Sequence, residues 1–221
     1  MNESDTHPGL PPRREPSREP TARGYYRTLT PAMPLRRFVE CLWVHFVPDA
    51  DSDGDRRILP DGRVDLVWIR GLGTIVAGPQ SRFTRRPVAA PMLAIGARFR
   101  PGAAPTLLRV PAVELLDDTV PLAAVDVRLA QRLDEALLRA SDEQEAFDAL
   151  NRELIGWLER HQPDPMVSEA VALLARRAAT VAEVAQRVFL SERQLERRFA
   201  DHVGYGPKTL QRILRLQSVV R

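Results

Sequence analysis

The stretch Thr180 to Gly204, TVAEVAQRVFLSERQLERRFADHVG, decides the fold of the C-terminal part of the chain. It contains two capping-box patterns, in which Ser or Thr precedes a helix and Glu or Gln three residues later reaches back to the cap. The first pairs Thr180 with Glu183, and the second pairs Ser191 with Gln194. Two caps so close together leave room for one short helix, a tight turn and a second helix, which predicts a helix-turn-helix.

The second predicted helix has one apolar side and one basic side. Leu195 and Phe199 share the apolar side and are expected to pack on the preceding helix. Arg193 and Arg197 lie one turn apart on the other side, and an Arg fork can bind guanine O6 and N7 in the major groove. The pattern predicts a sequence-specific DNA-binding regulator that inserts the Ser191–His202 helix into that groove, whereas a merely solvated helix face is the alternative interpretation.

The predicted DNA contacts form two sets. Residues of the recognition helix are expected to contact bases, with Glu196 either accepting from a cytosine amine or orienting a neighbouring arginine. Residues at the two caps and on the following helix are expected to contact the DNA backbone. The base-contacting set is Arg193, Gln194, Glu196 and Arg197, and the backbone-contacting set is Thr180, Ser191, Lys208 and Arg212.

The segment FLSERQLERRFADHVGYGPKTLQRILRLQ resembles the first helix-turn-helix and the linker helix of AraC/XylS-type regulators. The matching residues are Ser191, Leu195, Arg197, Phe199, Gly204 and Pro207. The resemblance implies that Arg193, Glu196 and Arg197 face the bases. Members of that family usually carry a second helix-turn-helix, whereas this sequence ends at Arg221. The sequence leaves open whether this is natural or a truncation, and a truncated protein-interaction or small-molecule-binding module without productive DNA binding is the alternative function.

Residues 25–160 are expected to form a β-rich sensory or dimerisation domain with helices at its end. Short apolar runs alternate there with turn signals, and they lie at Cys41–Val47, Arg63–Ile69, Thr74–Ala77 and Met92–Phe99. Two apolar stripes at helical spacing follow within about 125–160, and they predict core helices or, in part, a subunit interface. The expected fold class is α+β, with a barrel-like β-rich domain, amphipathic helices and an all-α unit at 166–221.

The N-terminal part resembles the upstream domains of some members of the same family. The resemblance rests on ILPDGRVDLVW (Ile58–Trp68), VAGPQ (Val76–Gln80) and IGARFRPGAAPTLL (Ile95–Leu108). It implies a sensory or oligomerisation role, with an unidentified small-molecule effector and a homodimer as expected partners. The candidate pocket residues are Trp43, His45, Trp68, Arg82 and Arg98. Core aromatic residues and solvated arginines are the alternative interpretation of this set.

Composition excludes several other classes of protein. Residues 166–221 carry ten basic and five acidic side chains within a chain of net charge +3, which suits a polyanion partner at this end. No apolar run reaches the roughly 20 residues of a membrane span. The single Cys41 excludes an internal disulfide, and an acidic loop at 49–54 lacks the glutamate that completes a calcium site. We expect a cytoplasmic protein with a disordered tail at residues 1–24, no membrane contact, no cofactor, no metal and no enzymatic activity.

Overall fold

The computed structural model describes residues 24–48, 56–86, 90–158, 162–176 and 179–220. The predicted tail at 1–24, apart from Gly24, and the acidic loop at 49–54 lie outside these residues. Within them the chain forms an antiparallel sheet followed by helices, so the α+β class is confirmed.

The larger sheet has six antiparallel strands in the order β1-β2-β7-β4-β5-β8, and a second sheet pairs β3 with β6. The sheet is open, so the expected barrel-like closure is wrong. One edge strand, β8, has three residues and ends at Pro121, which has no N–H to donate to a further strand. The strands are β1 Tyr25–Leu29, β2 Val39–Val47, β3 Arg56–Ile58, β4 Val64–Ile69, β5 Gly73–Ala77, β6 Thr84–Arg86, β7 Met92–Phe99 and β8 Thr119–Pro121.

Alternation along the strands gives the larger sheet two different apolar faces. The first face joins Val44, Leu66 and Ile95 to the main core. The second face carries Trp43 and Val67 together with Ala94, in a separate small cluster. Both faces are apolar, so the central strands are buried on both sides and something other than solvent must cover each of them.

Two long helices cover the first face. They are α2, Val127–Arg139, and α3, Glu143–Leu158, and a short helix α1, Ala104–Leu108, precedes them. The leucine stripe predicted for α2 is buried, as are Phe147 and Trp157 of α3. These stripes are therefore core, as the first of the two sequence interpretations expected.

Four further helices form what we call the C-terminal unit: α4 Pro165–Ala175, α5 Val181–Arg187, α6 Glu192–Val203 and α7 Pro207–Val220. Both predicted capping boxes are present, at the starts of α5 and α6. Leu195 and Phe199 are fully buried in one cluster with Val184 and Ala185, as the helical spacing predicts. Helix α4 begins at Pro165 because Asp164 caps it by accepting from the Met166 and Val167 amides.

The C-terminal unit packs closely on the sheet-bearing part of the chain. A Cβ added to Gly204, directly after α6, would lie 2.8 Å from Pro79 Cγ, and one added to Gly62 would lie 2.9 Å from Leu210 Cδ1. Gln217 of α7 also donates to the Pro60 carbonyl at 2.7 Å. No helix among the described residues is long and apolar enough to span a membrane.

Candidate functional site

The exposed side of α6 carries two arginines without an ion pair among the described residues. Arg193 and Arg197 are exposed and lie one helical turn apart. The neighbouring Arg198 differs, because it is paired with Asp164, the residue that caps α4. Two guanidinium groups on this side are therefore free to bind an external acceptor, while the third fixes α6 to α4.

The other two predicted base-contacting residues are already engaged within the protein. Gln194 accepts from the Ser191 amide at 2.8 Å, so only its NH₂ group remains as a donor. Glu196 lies against Gly206, where an added Cβ would collide with its carboxylate. Glu196 also lines the groove between the start of α5 and α7, together with Lys208.

The predicted backbone-contacting residues fall into two groups. The hydroxyls of Thr180 and Ser191 donate to their own capping partners, each at 3.0 Å, so their protons are already used. Lys208 and Arg212 of α7 are exposed and make no ion pair with the described part of the chain. Of the four, these two are therefore the cationic groups that remain available to an external anion.

The turn before α6 contains an exposed aromatic side chain that sequence reasoning did not single out. Phe189 has φ +57° and is 91 % exposed. A non-glycine residue in this left-handed region is strained by about 1–2 kcal/mol. The sequence holds one hint. Phe189 lies in the tight turn between the two capped helices, where positive φ favours glycine or asparagine, and neither residue is present there.

The packing between the C-terminal unit and the rest of the chain leaves the start of α6 uncovered. The contacts involve Val203, Gly204 and Tyr205, at the end of α6 and just beyond it. Arg193 lies in the first turn of the same helix and remains exposed. The basic side of α6 is therefore accessible with the C-terminal unit in its packed position.

A second candidate site is a cavity of about 380 Å³ on the second face of the larger sheet. Its floor is apolar and includes Trp43, Val67 and Ala94, and residues 57–59 line it from the smaller sheet. The Trp43 ring packs directly over Gly96, where there is room for it because glycine has no side chain. A Cβ at this position would lie 2.6 Å from the ring. The volume falls in the range of about 300–1,000 Å³ typical of small-molecule sites.

Charged side chains surround one part of this cavity. Arg98 donates to both Asp65 oxygens, at 3.0 and 2.8 Å. Arg63 pairs in the same two-point way with Glu40. Burial raises the pKa of the Asp61 carboxyl, and the Arg63 amide and guanidinium only partly offset this.

The structure separates the five predicted pocket residues. Trp43 and Arg98 line the cavity. Trp68 belongs to the main core on the opposite face, because the alternation of β4 points it away from Val67. His45 stacks edge-on against Tyr26, with ring centroids 5.9 Å apart, and Arg82 is exposed before β6.

Sequence reasoning missed most of the cavity lining, including the polar residues Asp61, Asp65 and Gln217. Asp61 lies just before the predicted apolar run at Arg63–Ile69, and Gln217 comes from a helix far along the chain. Asp65 had a usable signal, because it is an acidic residue within an otherwise apolar run; the structure shows that its register partner on β7 is Arg98. A charged pair facing each other across two otherwise apolar strands indicates an inward-facing polar group.

Comparison with known families finds one match. Residues 27–121 match the family described as "Domain of unknown function (DUF6597)". The match spans the larger sheet, apart from the first two residues of β1, and all of the cavity lining except Gln217, and it does not include α4 to α7. No curated protein and no solved structure was found to match the chain.

Proposed function

We propose that this protein is a sequence-specific DNA-binding transcriptional regulator of the AraC/XylS type. The observation that carries the proposal is the exposed pair Arg193 and Arg197 on the capped helix α6, free of ion pairs among the described residues. Helix α6 would lie in the major groove with these two side chains on base edges. The matched domain supports the family assignment, because in AraC-family regulators it is an N-terminal domain.

The remaining parts of the unit fit this role in different ways. Lys208 and Arg212 would contact phosphates, which fixes the register of α6 without reading sequence. Thr180 and Ser191 would contribute mainly through the helix starts that they cap. Glu196 would line a groove of the protein itself rather than contact a base, because its carboxylate lies against Gly206. We further propose a cytoplasmic location. We also propose a homodimer, since a second copy would supply a second recognition helix.

The test is binding of the full chain to a pool of random duplexes at two salt concentrations, followed by sequencing of the bound fraction. We expect an enriched motif that Arg193→Ala and Arg197→Ala each weaken, since a bidentate contact discriminates by about 1–3 kcal/mol. Lys208→Ala should instead weaken binding to all duplexes and lower the salt slope by about one. Arg139→Ala on α2 removes the same charge from an exposed site and should change neither property.

Two results would overturn the proposal. One is binding that stays sequence-blind and fades steeply with salt. The other is a motif that persists in the double variant Arg193→Ala, Arg197→Ala.

A second function is favoured by the exposed apolar side chains Phe189, Leu216 and Val219 of the C-terminal unit, which suit a protein partner. That function predicts salt-insensitive association that Phe189→Ser abolishes while DNA binding is absent.

A further inference from the structure

We propose that the cavity on the second face of the larger sheet binds a small amphipathic cation, with an amine on a compact apolar body. The inference depends on the cavity alone and does not require DNA binding. Its first support is the apolar floor, formed by side chains that alternate away from the main core and include Val67, Ile75 and Ala94. A floor of this kind excludes water from the ligand body and orders it against the sheet.

The second support is the way in which the charged groups at the polar part of the cavity pair with one another. Arg98 is neutralised by Asp65, with two hydrogen bonds of 3.0 and 2.8 Å. Arg63 is neutralised by Glu40 in the same way. Asp61 is the remaining carboxylate, and Arg57 also lines the cavity, so the charged lining residues together with Glu40 sum to zero. Asp61 is the one carboxylate of this group without a two-point partner.

Asp61 retains unused hydrogen-bonding capacity. Its Oδ1 accepts from the Arg63 amide at 3.0 Å. In the described part of the chain the ion-pair partner of Oδ2 is Arg63 Nη1 at 3.8 Å, beyond hydrogen-bond distance. Arg57 is the remaining charged residue of the lining, and its side chain is exposed to solvent. An ammonium group would donate to Oδ2 of this buried carboxylate.

A second acceptor lies in the same lining. Gln217 of α7 donates its amide N–H to the Pro60 carbonyl at 2.7 Å, which leaves its amide oxygen as an acceptor. Pro60 precedes Asp61 directly, so both acceptors are held by one short segment. An ammonium carries three donors and can donate to either acceptor, whereas a carboxylate has no proton to donate to them.

The experiment compares three probes of matched shape on the full chain: 4-phenylbutylamine, 4-phenylbutanol and 4-phenylbutanoate. Binding is measured by calorimetric titration and by the shift in Tm. We expect the amine to bind best, the alcohol more weakly and the carboxylate least. Asp61→Asn should weaken amine binding by about tenfold or more while leaving alcohol binding unchanged, because only a charged contact is lost.

Two further variants keep the test specific. Asp201→Asn removes a carboxylate from the exposed side of α6 and should leave amine binding unchanged. Ala94→Leu fills the floor and should weaken all three probes, with circular dichroism confirming that the variant folds. The inference is overturned if the alcohol or carboxylate binds as well as the amine, if Asp61→Asn has no effect, or if no probe binds. DNA binding is measured separately, so failure here leaves the proposed function standing.

Discussion

Replacing Gly204 by alanine should destabilise the protein more than its position at a helix end would suggest. Gly204 ends α6 with φ +93° and donates its amide to the carbonyls of Phe199 and Ala200. Its α-carbon also faces the sheet-bearing part, where a Cβ would lie 2.8 Å from Pro79 Cγ and 3.2 Å from the Ala112 oxygen. The substitution therefore adds a steric conflict to a backbone conformation that alanine already disfavours.

The two contributions can be estimated separately. An L-residue in the left-handed region costs about 1–2 kcal/mol. Inserting a methyl group into a close-packed contact costs typically about 1–3 kcal/mol. Gly204→Ala should thus lower the free energy of unfolding by about 2–5 kcal/mol.

The chain offers a matched control for the backbone contribution. Gly71 has φ +83° and no atom within 4 Å of an added Cβ, so Gly71→Ala should lose only about 1–2 kcal/mol. Urea unfolding of both variants, followed by circular dichroism, gives the comparison. If Gly204→Ala costs no more than Gly71→Ala, the close contact between α6 and the residues around Pro79 is not present in solution, and the reasoning fails.

Three other substitutions test separate features. Phe189→Gly should raise stability by about 1 kcal/mol, because it relieves the positive φ and the lost ring is 91 % exposed, whereas Phe189→Ala should not; equal urea curves for both would contradict this. Ser191→Ala removes the cap of α6 and should cost about 1 kcal/mol by the same assay, and an unchanged midpoint would show that the cap is dispensable. Burial raises the pKa of Asp61 above its unfolded value, so ionised Asp61 opposes folding at neutral pH and this penalty disappears below the unfolded pKa. Asp61→Asn should therefore raise Tm near pH 7, with the gain vanishing as the pH falls toward about 4, and a gain independent of pH would refute this cause.

The helices of the C-terminal unit were predictable because their signals are local. A capping box spans only four residues, and helix geometry places Leu195 and Phe199, four residues apart, on the same side of α6. The four longest apolar runs became β2, β4, β5 and β7 for a similar reason, since turn residues bound each of them. The pairing of β7 between β2 and β4 was not predictable, because it joins residues far apart in the sequence.

The candidate DNA interface could be predicted further than the cavity. Arg193 and Arg197 share a face by spacing alone, so their exposure followed once the apolar side was identified. The contact of Glu196 with Gly206 could not be predicted, because it depends on the direction in which the chain turns from α6 into α7. The absence of Trp68 from the cavity could in principle have been predicted, since β-strand alternation places Trp68 and Val67 on different faces of the sheet.

The sequence by itself determined the elements and the side of each element that is buried, because caps, turns and periodicity act within a few residues. Only the tertiary structure decided that the sheet stays open, that its second face holds a cavity, and that Asp61 and Gln217 both line it. The physical reason is that hydrogen bonding between distant strands and the packing of α7 on the Pro60 segment are long-range interactions, and no local pattern encodes which partner each residue meets.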